Sequence, residues 1–254
     1  MNKAVIGIVS KHYASYKNDR TDTYVRDEIK QAIFDNGAVA IAILPPDKDI
    51  KYIGDNWKED LQGKEYDDLI SQIKLCDGII FQGGVESDNY ECIVAKYCYE
   101  NNIPTLGICC GQNIIARAIG GTTYKIDNPE KHMQMSKQYV HNIKIDKTSK
   151  FYKIVNKEEI MVNSRHKRTI KECPKLDKVG FCEDGYADVI EAKDKDFYIG
   201  VRFHPESLYK IDKKQLEKCH SCWIDNSISL CKNQLKLMQS MATCSYATAL
   251  ALAK

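Results

Sequence analysis

The sequence lacks any apolar stretch that approaches the roughly 20 residues of a membrane-spanning helix. Its opening residues, MNKAVIGIVSKHY, contain too short an apolar run for a signal peptide, because Lys11 and His12 interrupt it. Net charge is also nearly absent, at +2 over 254 residues. Global charge therefore predicts neither a nucleic-acid partner nor a membrane partner. We expect a cytoplasmic protein.

A fully paired disulfide framework is absent as well, since the chain has an odd number of cysteines, 11. Without a signal peptide, that number is typical of reduced thiols in a cytosol. A C-x-x-C motif at Cys219 and Cys222, with Cys231 beyond, favours a metal only weakly, because zinc needs four well-spaced ligands and no second C-x-x-C follows. His132 and His141 lack ligand spacing and are expected to be surface histidines. The sequence thus predicts no metal site.

In the first half of the chain, short apolar segments alternate with helical patterns. Strands are predicted over 3–9, 38–44, 78–82 and 104–108. Helices are predicted between an Asp22 cap and a Gly37 stop, and over 65–75, 88–101 and 113–121. The strands are almost continuously apolar, which indicates burial on both faces. This pattern predicts an α/β fold in three layers, with a mostly parallel central sheet flanked by helices.

After Gly121 the pattern changes to strands with partial alternation of apolar and polar residues. These strands are predicted over 122–126, 139–145, 159–164, 178–182, 187–192 and 197–204. The second half is therefore expected to add an antiparallel extension to the same sheet. No repeat or linker divides the chain, so we predict a single domain over 1–254. Residues 215–254, cysteine-rich and then alanine-rich, form an atypical C-terminal segment that we expect to be helical in part.

The stretch LGICCGQN at 106–113 predicts a sharp turn between a strand and a helix. Gly107 and Gly111 lie two residues before and after Cys109, which is the spacing of a nucleophile elbow. Such a turn lifts its central side chain above the carboxyl edge of the sheet, and the following helix N-terminus favours a thiolate. Cys109 is therefore the candidate nucleophile. The N–H of Cys110 is placed to stabilise an oxyanion.

The stretch GVRFHPES at 200–207 supplies a base and a residue to orient it. His204 ends a predicted strand, and Glu206 lies two residues later, on the same face of an extended chain. Glu206 can therefore hold the imidazole toward Cys109. The stretch FQGG at 81–84 ends another strand in a turn, and N–H groups near Gly84 can complete an oxyanion hole.

These motifs, in this order, resemble class I glutamine amidotransferase domains, and most of all the γ-glutamyl-γ-aminobutyrate hydrolase-like branch, peptidase family C26. VNSRH at 162–166 is similar to that branch's VNSxHH segment, and the resemblance covers about residues 3–208. It implies a flavodoxin-like fold, no cofactor, and hydrolysis of a γ-glutamyl amide through a thioester. Cys109 would be the nucleophile, His204 the base and Glu206 the third member. The oxyanion or substrate would contact Gly84, Cys110, Gln112, Asn113, Ser164 and His166.

The chain departs from that branch near the expected substrate side. The branch usually carries Arg directly after the nucleophile, where this chain has Cys110. The family usually has Gln four residues after the nucleophile, where this chain has Asn113, with Gln112 one earlier. Lys167 and Arg168 stand where His and Gln are common. The RHKR run at 165–168 either binds an anionic substrate group or forms a solvated loop.

Several interpretations stay open at this point. The Cys110 side chain either packs as a small residue or caps Cys109 in a vicinal disulfide, and His166 lies either near the site or in a loop. Three functions fit: a stand-alone hydrolase of γ-glutamyl amines or glutamine-type substrates, a glutaminase subunit that delivers ammonia to a synthetase partner, and a non-catalytic binding protein. The resemblance also allows a homodimer.

Overall fold

The computed structural model describes residues 3–15, 20–46, 54–84 and 88–208. The predictions for 215–254, including the C-x-x-C motif, lie outside these residues. The described strands are β1 (Val5–Val9), β2 (Lys11–Ser15), β3 (Arg20–Tyr24), β4 (Val39–Ile43), β5 (Gly78–Phe81), β6 (Thr105–Ile108), β7 (Thr122–Lys125), β8 (His141–Ile145), β9 (Glu159–Val162), β10 (Arg168–Glu172), β11 (Asp177–Cys182), β12 (Ala187–Glu191) and β13 (Tyr198–Val201). The described helices are α1 (Asp27–Asp35), α2 (Gly63–Lys74), α3 (Asn89–Glu100), α4 (Cys110–Arg117), α5 (Pro129–His132) and α6 (Lys150–Val155).

Nine strands form one mixed sheet in the order β4-β1-β5-β6-β13-β12-β11-β8-β9. The first five are parallel to one another, and each remaining neighbour is antiparallel. The predicted α/β fold, with a parallel sheet and an antiparallel extension, is confirmed. Because β5, β6 and β13 are adjacent and parallel, their carboxyl ends meet at one edge of the sheet. The three sequence motifs follow those ends.

Apolar side chains of the helices cover both faces of this sheet. On one face, Leu69 of α2, Ile93 of α3 and Ile114 of α4 share a buried cluster. On the other, Ile29 of α1 and Phe151 of α6 share a second cluster. Burying each such side chain contributes about 1.5–3 kcal/mol. Since both faces are covered, the apolar character of the central strands is explained.

The structure corrects several predicted boundaries. Asp22 does not cap α1; it lies in β3, and Arg26 precedes the first turn. The strand predicted as buried over 38–44 is the edge strand β4, in which only Ile43 is buried. Helix α4 begins at Cys110 rather than near residue 113, because the elbow passes directly into the helix. The β2–β3 hairpin, β10 and α6 were not predicted, since their polar residues mask the periodicity.

Helix α3 begins with a reciprocal cap formed by two acidic residues. The Asp88 side chain accepts from the main chain of Glu91, and the Glu91 carboxylate accepts from the Asp88 N–H at 2.7 Å. This cap satisfies two main-chain donors at the helix start.

Across the part of the chain that the structure describes, no helix is both long enough and apolar enough to span a bilayer.

Candidate active site

The turn that carries Cys109 has the geometry of a nucleophile elbow. Cys109 has φ +53° and ψ −103°, a backbone conformation that non-glycine residues rarely adopt. A Cβ atom on Gly107 would lie 2.6 Å from the Gly111 carbonyl oxygen, and one on Gly111 would overlap the Phe81 carbonyl oxygen. Glycine is therefore required on both sides of the turn. The spacing noted in the sequence reflects this close approach of backbones.

Cys109, His204 and Glu206 lie together at the carboxyl ends of β6 and β13. The Cys109 thiol is hydrogen bonded to the His204 imidazole. Nδ1 of His204 lies 2.7 Å from Oε1 of Glu206, which leaves Nε2 for the sulfur. All three side chains are buried, with 7%, 6% and 2% of their surface exposed. Water is largely excluded, so the charges in this group interact strongly.

The electrostatics of this group favour a thiolate beside an imidazolium. Burial opposes the thiolate, but the His204 charge and hydrogen bond, together with Arg202, lower the pKa of Cys109 below its ordinary value. Burial also opposes the imidazolium, but Glu206 and Cys109 raise the pKa of His204 above its ordinary value. Burial instead raises the pKa of five other described thiols: Cys76, Cys92, Cys98, Cys173 and Cys182. Cys109 is thus set apart as a nucleophile.

Asn163 positions the histidine, although the sequence analysis did not single it out. Its Oδ1 accepts from the His204 main-chain N–H at 2.7 Å, and its Nδ2 donates to the His204 carbonyl at 2.8 Å. The side chain is 1% exposed. Its place in VNSRH, before Ser164, was the available signal. This clamp holds the main chain of the base in one position.

Arg202 anchors the elbow from the opposite side and was also missed. The guanidinium is 1% exposed and donates to the Cys109 carbonyl at 3.2 Å and to Oδ1 of Asn113 at 2.9 Å. Asn113, predicted to contact substrate, therefore uses its side-chain oxygen to hold this arginine. The position of Arg202 in GVRFHPES was the signal in the sequence.

The turn after β5 approaches the histidine through Gly83 rather than through Gly84. A Cβ atom on Gly83 would lie 2.6 Å from Cε1 of His204 and 3.4 Å from Cβ of Cys109. One on Gly84 would instead lie 3.2 Å from Cε of Lys11. Both glycines border the site, and only Gly84 was named from the sequence.

Lys11 is buried beside the elbow, although it first seemed only to interrupt an apolar run. Its Nζ lies 2.8 Å from Oε1 of Glu91 and 3.8 Å from Sγ of Cys110. Burial opposes the ammonium charge, but Cys110 and Glu91 raise the pKa of Lys11 above its ordinary value. The Cys110 side chain therefore contacts a cation. Cys109 and Cys110 are both free thiols in this structure.

Gln112 faces the sheet instead of the thiol. Its Nε2 donates to the main-chain carbonyls of Asp188 at 3.1 Å and Gly200 at 3.2 Å, and the side chain is fully buried. A Cβ atom on Gly200 would lie 2.7 Å from Cγ of Gln112. The glutamine thus fastens α4 to β12 and β13.

Ser164 and His166 are buried but make no hydrogen bond or ring contact with Cys109 or His204 among the described residues. Nδ1 of His166 lies 3.1 Å from the Arg168 carbonyl, and its ring centroid lies 4.9 Å from that of His132. Burial, and then the charge of Arg202, hold the pKa of His166 well below its ordinary range. Any contact of these two residues with substrate therefore stays a prediction.

The RHKR run divides into separate contacts. Arg165 donates from Nη1 to Oγ of Ser207 at 2.9 Å, and Arg168 donates from Nη2 to Oγ1 of Thr123 at 2.8 Å. Lys167 is exposed. The two arginines therefore hold different parts of the fold, and anion binding by the run stays a prediction.

The expectation that His132 and His141 are surface histidines is wrong. His132 is 3% exposed, and the side chain of His141 is 12% exposed. Their ring centroids are 5.1 Å apart. His141 begins β8 and His132 ends α5, so spacing along the chain gave no sign of their proximity.

Comparison with known proteins agrees with this geometry. Residues 84–206 match the family model described as Peptidase C26. The chain is therefore similar to the Peptidase C26 family and to glutamine amidotransferase-like proteins. Proteins of this family are hydrolases that act on amides.

Two curated relatives and one solved structure show the range of this superfamily. A CTP synthase of Chlamydia abortus is 31% identical over 178 residues, which are 57% of this chain and 33% of that relative. The chain thus spans about a third of the length of this CTP synthase. The glutamine amidotransferase-like protein YvdE of Lactococcus lactis is 25% identical over 249 residues, covering 84% of this chain and 97% of YvdE. The glutaminase domain of Trypanosoma brucei CTPS with bound acivicin shares the fold, with a TM-score of 0.60, 16% identity and 94% coverage of each chain.

The lowered pKa of Cys109 predicts the pH dependence of its alkylation. Iodoacetamide should react with Cys109 below the ordinary thiol range, which is centred at about pH 8.5. Replacing Glu206 with glutamine should move the inflection to higher pH, because the imidazolium that stabilises the thiolate loses its partner. The direct repulsion between Glu206 and the thiolate acts the other way but is a smaller effect on the pKa of Cys109 than His204 is.

Peptide-resolved mass spectrometry of timed alkylation measures this dependence. At pH 6 we expect the Glu206→Gln variant to react about tenfold more slowly than the parent, which corresponds to one pKa unit. Glu158→Gln, at a carboxylate that is 63% exposed, is the matched control and should leave the profile in place. An unshifted inflection in Glu206→Gln would contradict the assigned electrostatics.

Proposed function

We propose that the chain hydrolyses γ-glutamyl amide bonds through a γ-glutamyl thioester on Cys109. The observation that supports this most is the buried hydrogen-bonded series Cys109, His204 and Glu206 at the elbow. A nucleophile, a base in contact with it and a carboxylate that orients the base are the parts that acyl transfer needs.

In the first half of the reaction, the Cys109 thiolate attacks the γ-carbonyl carbon. A C–S bond forms, and the carbonyl π electrons move to the oxygen. As the tetrahedral intermediate collapses, the C–N bond breaks and His204 gives its proton to the departing amine. In the second half, His204 takes a proton from water as that water attacks the thioester. The C–S bond then breaks, and glutamate leaves.

In this proposal the oxyanion is held by main-chain N–H groups of Cys110 and Gly84. Cys110 is the first residue of α4, so the positive end of the helix dipole adds to its effect. Gly84 lies on the turn whose other glycine packs against His204. Removal of one such donor typically costs about 10²–10³ in rate. Arg202 and Asn163 act by positioning the elbow and the base.

A second candidate is a glutaminase that delivers ammonia to a separate synthetase. The similarity to CTP synthases supports it, because the matched part is about a third of those proteins. The similarity to YvdE supports the stand-alone hydrolase instead, since it extends over 97% of that relative. A common chemistry at Cys109 serves both functions.

A substrate screen on the isolated full chain separates these functions. We expect turnover of γ-glutamyl amines, measured as released glutamate, with Cys109→Ala as the inactive control. Hydrolysis of glutamine that appears only when a synthetase is added would favour the partner-dependent glutaminase. Stoichiometric labelling of Cys109 by diazo-oxo-norleucine, a glutamine-like electrophile, is expected in either case. Failure of that labelling would favour the non-catalytic binding protein instead.

A further inference from the structure

A second cluster of potential ligands lies in the antiparallel extension. One ligand atom from each of His132, His141 and Cys182 falls within 4.8 Å of the others. His132 and Cys182 are buried, and His141 is partly buried. Three such atoms at this separation surround a volume of the size that a metal ion fills. The cluster plays no part in the chemistry proposed for Cys109.

The strand register brings two of these side chains together. Cys182, at the end of β11, pairs with Ile143 of the antiparallel strand β8. Residues directly opposite in such a pair project to the same face, and so do residues two apart along one strand. His141 precedes Ile143 by two and therefore shares the face of Cys182. His132, the last residue of α5, lies over that face with its ring 5.1 Å from the ring of His141.

Carboxylates hold both imidazoles by the same nitrogen. Oδ2 of Asp184 lies 3.2 Å from Nε2 of His132, and Oδ2 of Asp188 lies 2.6 Å from Nε2 of His141. Nδ1 of His132 is buried without a hydrogen-bond partner among the described residues. Metal-binding histidines almost always show this arrangement, in which a carboxylate accepts from one ring nitrogen and leaves the other for the ion.

From this geometry we propose that His132, His141 and Cys182 bind one divalent transition-metal ion, with Zn²⁺ as the preferred ion. Two imidazoles and a thiolate are the soft and intermediate donors that Zn²⁺ takes, whereas Mg²⁺ and Ca²⁺ prefer oxygen. The fourth tetrahedral position would be filled by water or by another side chain. His166 is a further donor beside the cluster, since its Nε2 is also buried, has no hydrogen-bond partner within the described ranges and lies 4.0 Å from Oδ1 of Asp188.

The thiol chemistry is compatible with this ion. Cys182 is a free, buried thiol, and its proton is the one that a bound metal ion would replace. Binding of the cation would displace that proton and form a thiolate, as zinc does at cysteine ligands. The cation would also offset the charge of Asp188, whose Oδ1 has no hydrogen-bond partner in the described residues.

The expected role of the ion is structural. The Asp188 carbonyl accepts from Nε2 of Gln112 at 3.1 Å and from the Arg202 N–H at 2.7 Å. The cluster is thus connected through β12 to Gln112, which fastens α4, and to Arg202, which holds the Cys109 carbonyl. A metal ion at this place would brace the antiparallel extension against the half that carries Cys109.

Metal analysis of the full chain tests the site independently of hydrolysis. After chelation and titration with Zn²⁺, we expect one bound zinc per chain by mass spectrometry of metals, together with a rise in melting temperature. Cys182→Ser and His132→Gln should each weaken zinc binding at least tenfold, since each removes one ligand. Cys173→Ser, at a partly buried thiol outside the cluster, and the double change Cys219→Ser/Cys222→Ser should both retain it.

A Co²⁺ titration of the unaltered chain adds a readout that does not depend on variants that fold poorly. Thiolate ligation by Cys182 should give a near-ultraviolet sulfur-to-cobalt charge-transfer band. Absence of that band, or zinc binding that survives in the Cys182→Ser/His132→Gln double variant, overturns the proposal. So does loss of zinc in Cys219→Ser/Cys222→Ser alone. Alkylation of Cys109 in each variant reports whether the elbow is intact.

Discussion

Replacing Cys109 with alanine is expected to lower γ-glutamyl amide hydrolysis by about 10⁴- to 10⁶-fold, the loss usual when a covalent nucleophile is removed. The reason is local: Cys109 carries the thiol at the apex of the turn, where His204 meets it. The alanine side chain fits within the space that the thiol occupies, and the glycines on either side already relieve the crowding of backbones. The loss should therefore fall on kcat, with the fold preserved.

Cys110 provides the sharpest comparison, because it differs from Cys109 by one position. Cys110→Ala keeps the main-chain N–H and should lose no more than about tenfold, less than removal of an oxyanion donor. Cys173→Ala, at a partly buried thiol that follows β10, should match the parent. Initial rates of glutamate release, with thermal melts as a fold check, measure all three. Similar losses in Cys109→Ala and Cys110→Ala would contradict the assignment of separate roles to the two thiols.

The elbow could be predicted from the sequence because its constraint is steric and local. Gly107 and Gly111 are required by backbone atoms within a few residues or on the next strand, and Phe81 ends that strand. The pairing of His204 with Glu206 is likewise short in range, since the two residues are two positions apart, although the chain is helical from Pro205 rather than extended as the sequence predicted. The parallel core was predictable because strands that are buried on both faces are apolar throughout their length.

The remainder depends on contacts between distant residues. His141 and Cys182 are 41 positions apart, and their proximity follows from the β8–β11 register, which no single segment encodes. Gln112 was expected at the substrate, but α4 turns it toward Gly200 of β13. Lys11 lies in a stretch that is typical of a solvated strand end. It is nevertheless buried, where it pairs with Glu91 of α3. Charge partners of this kind are invisible to periodicity.

The second large effect concerns the buried pair of Lys11 and Glu91, and we expect it on stability rather than on rate. Lys11→Met removes the charge and leaves Glu91 as a carboxylate with 0% exposure. Breaking a buried pair in this way typically costs about 3–5 kcal/mol. Methionine fills the volume of the lysine stem, so most of the cost is electrostatic. Denaturant unfolding of the full chain should show the midpoint falling with an unchanged slope.

The penalty should also depend on pH. Burial already raises the pKa of Glu91 despite the opposing effect of Lys11. Without Lys11 that pKa should rise further, so the folded state would hold a proton that the unfolded state releases above about pH 4.3. A native state that binds more protons loses stability as pH rises. Lys11→Met should therefore be less destabilised at pH 5 than at pH 8, and the opposite trend would reject the explanation.

A double variant separates the buried charge from the lost contacts. Adding Glu91→Gln to Lys11→Met removes the stranded carboxylate but keeps an oxygen for the Asp88 N–H, which Glu91 accepts at 2.7 Å. Most of the lost stability should return, and the pH dependence should disappear. Lys64→Met is the matched surface control, because the side chain of Lys64 is 87% exposed in its pair with Asp68, and the change should leave stability nearly unaltered. If the double variant stays as unstable as Lys11→Met, packing around the lysine stem, rather than the uncompensated charge of Glu91, determines the cost.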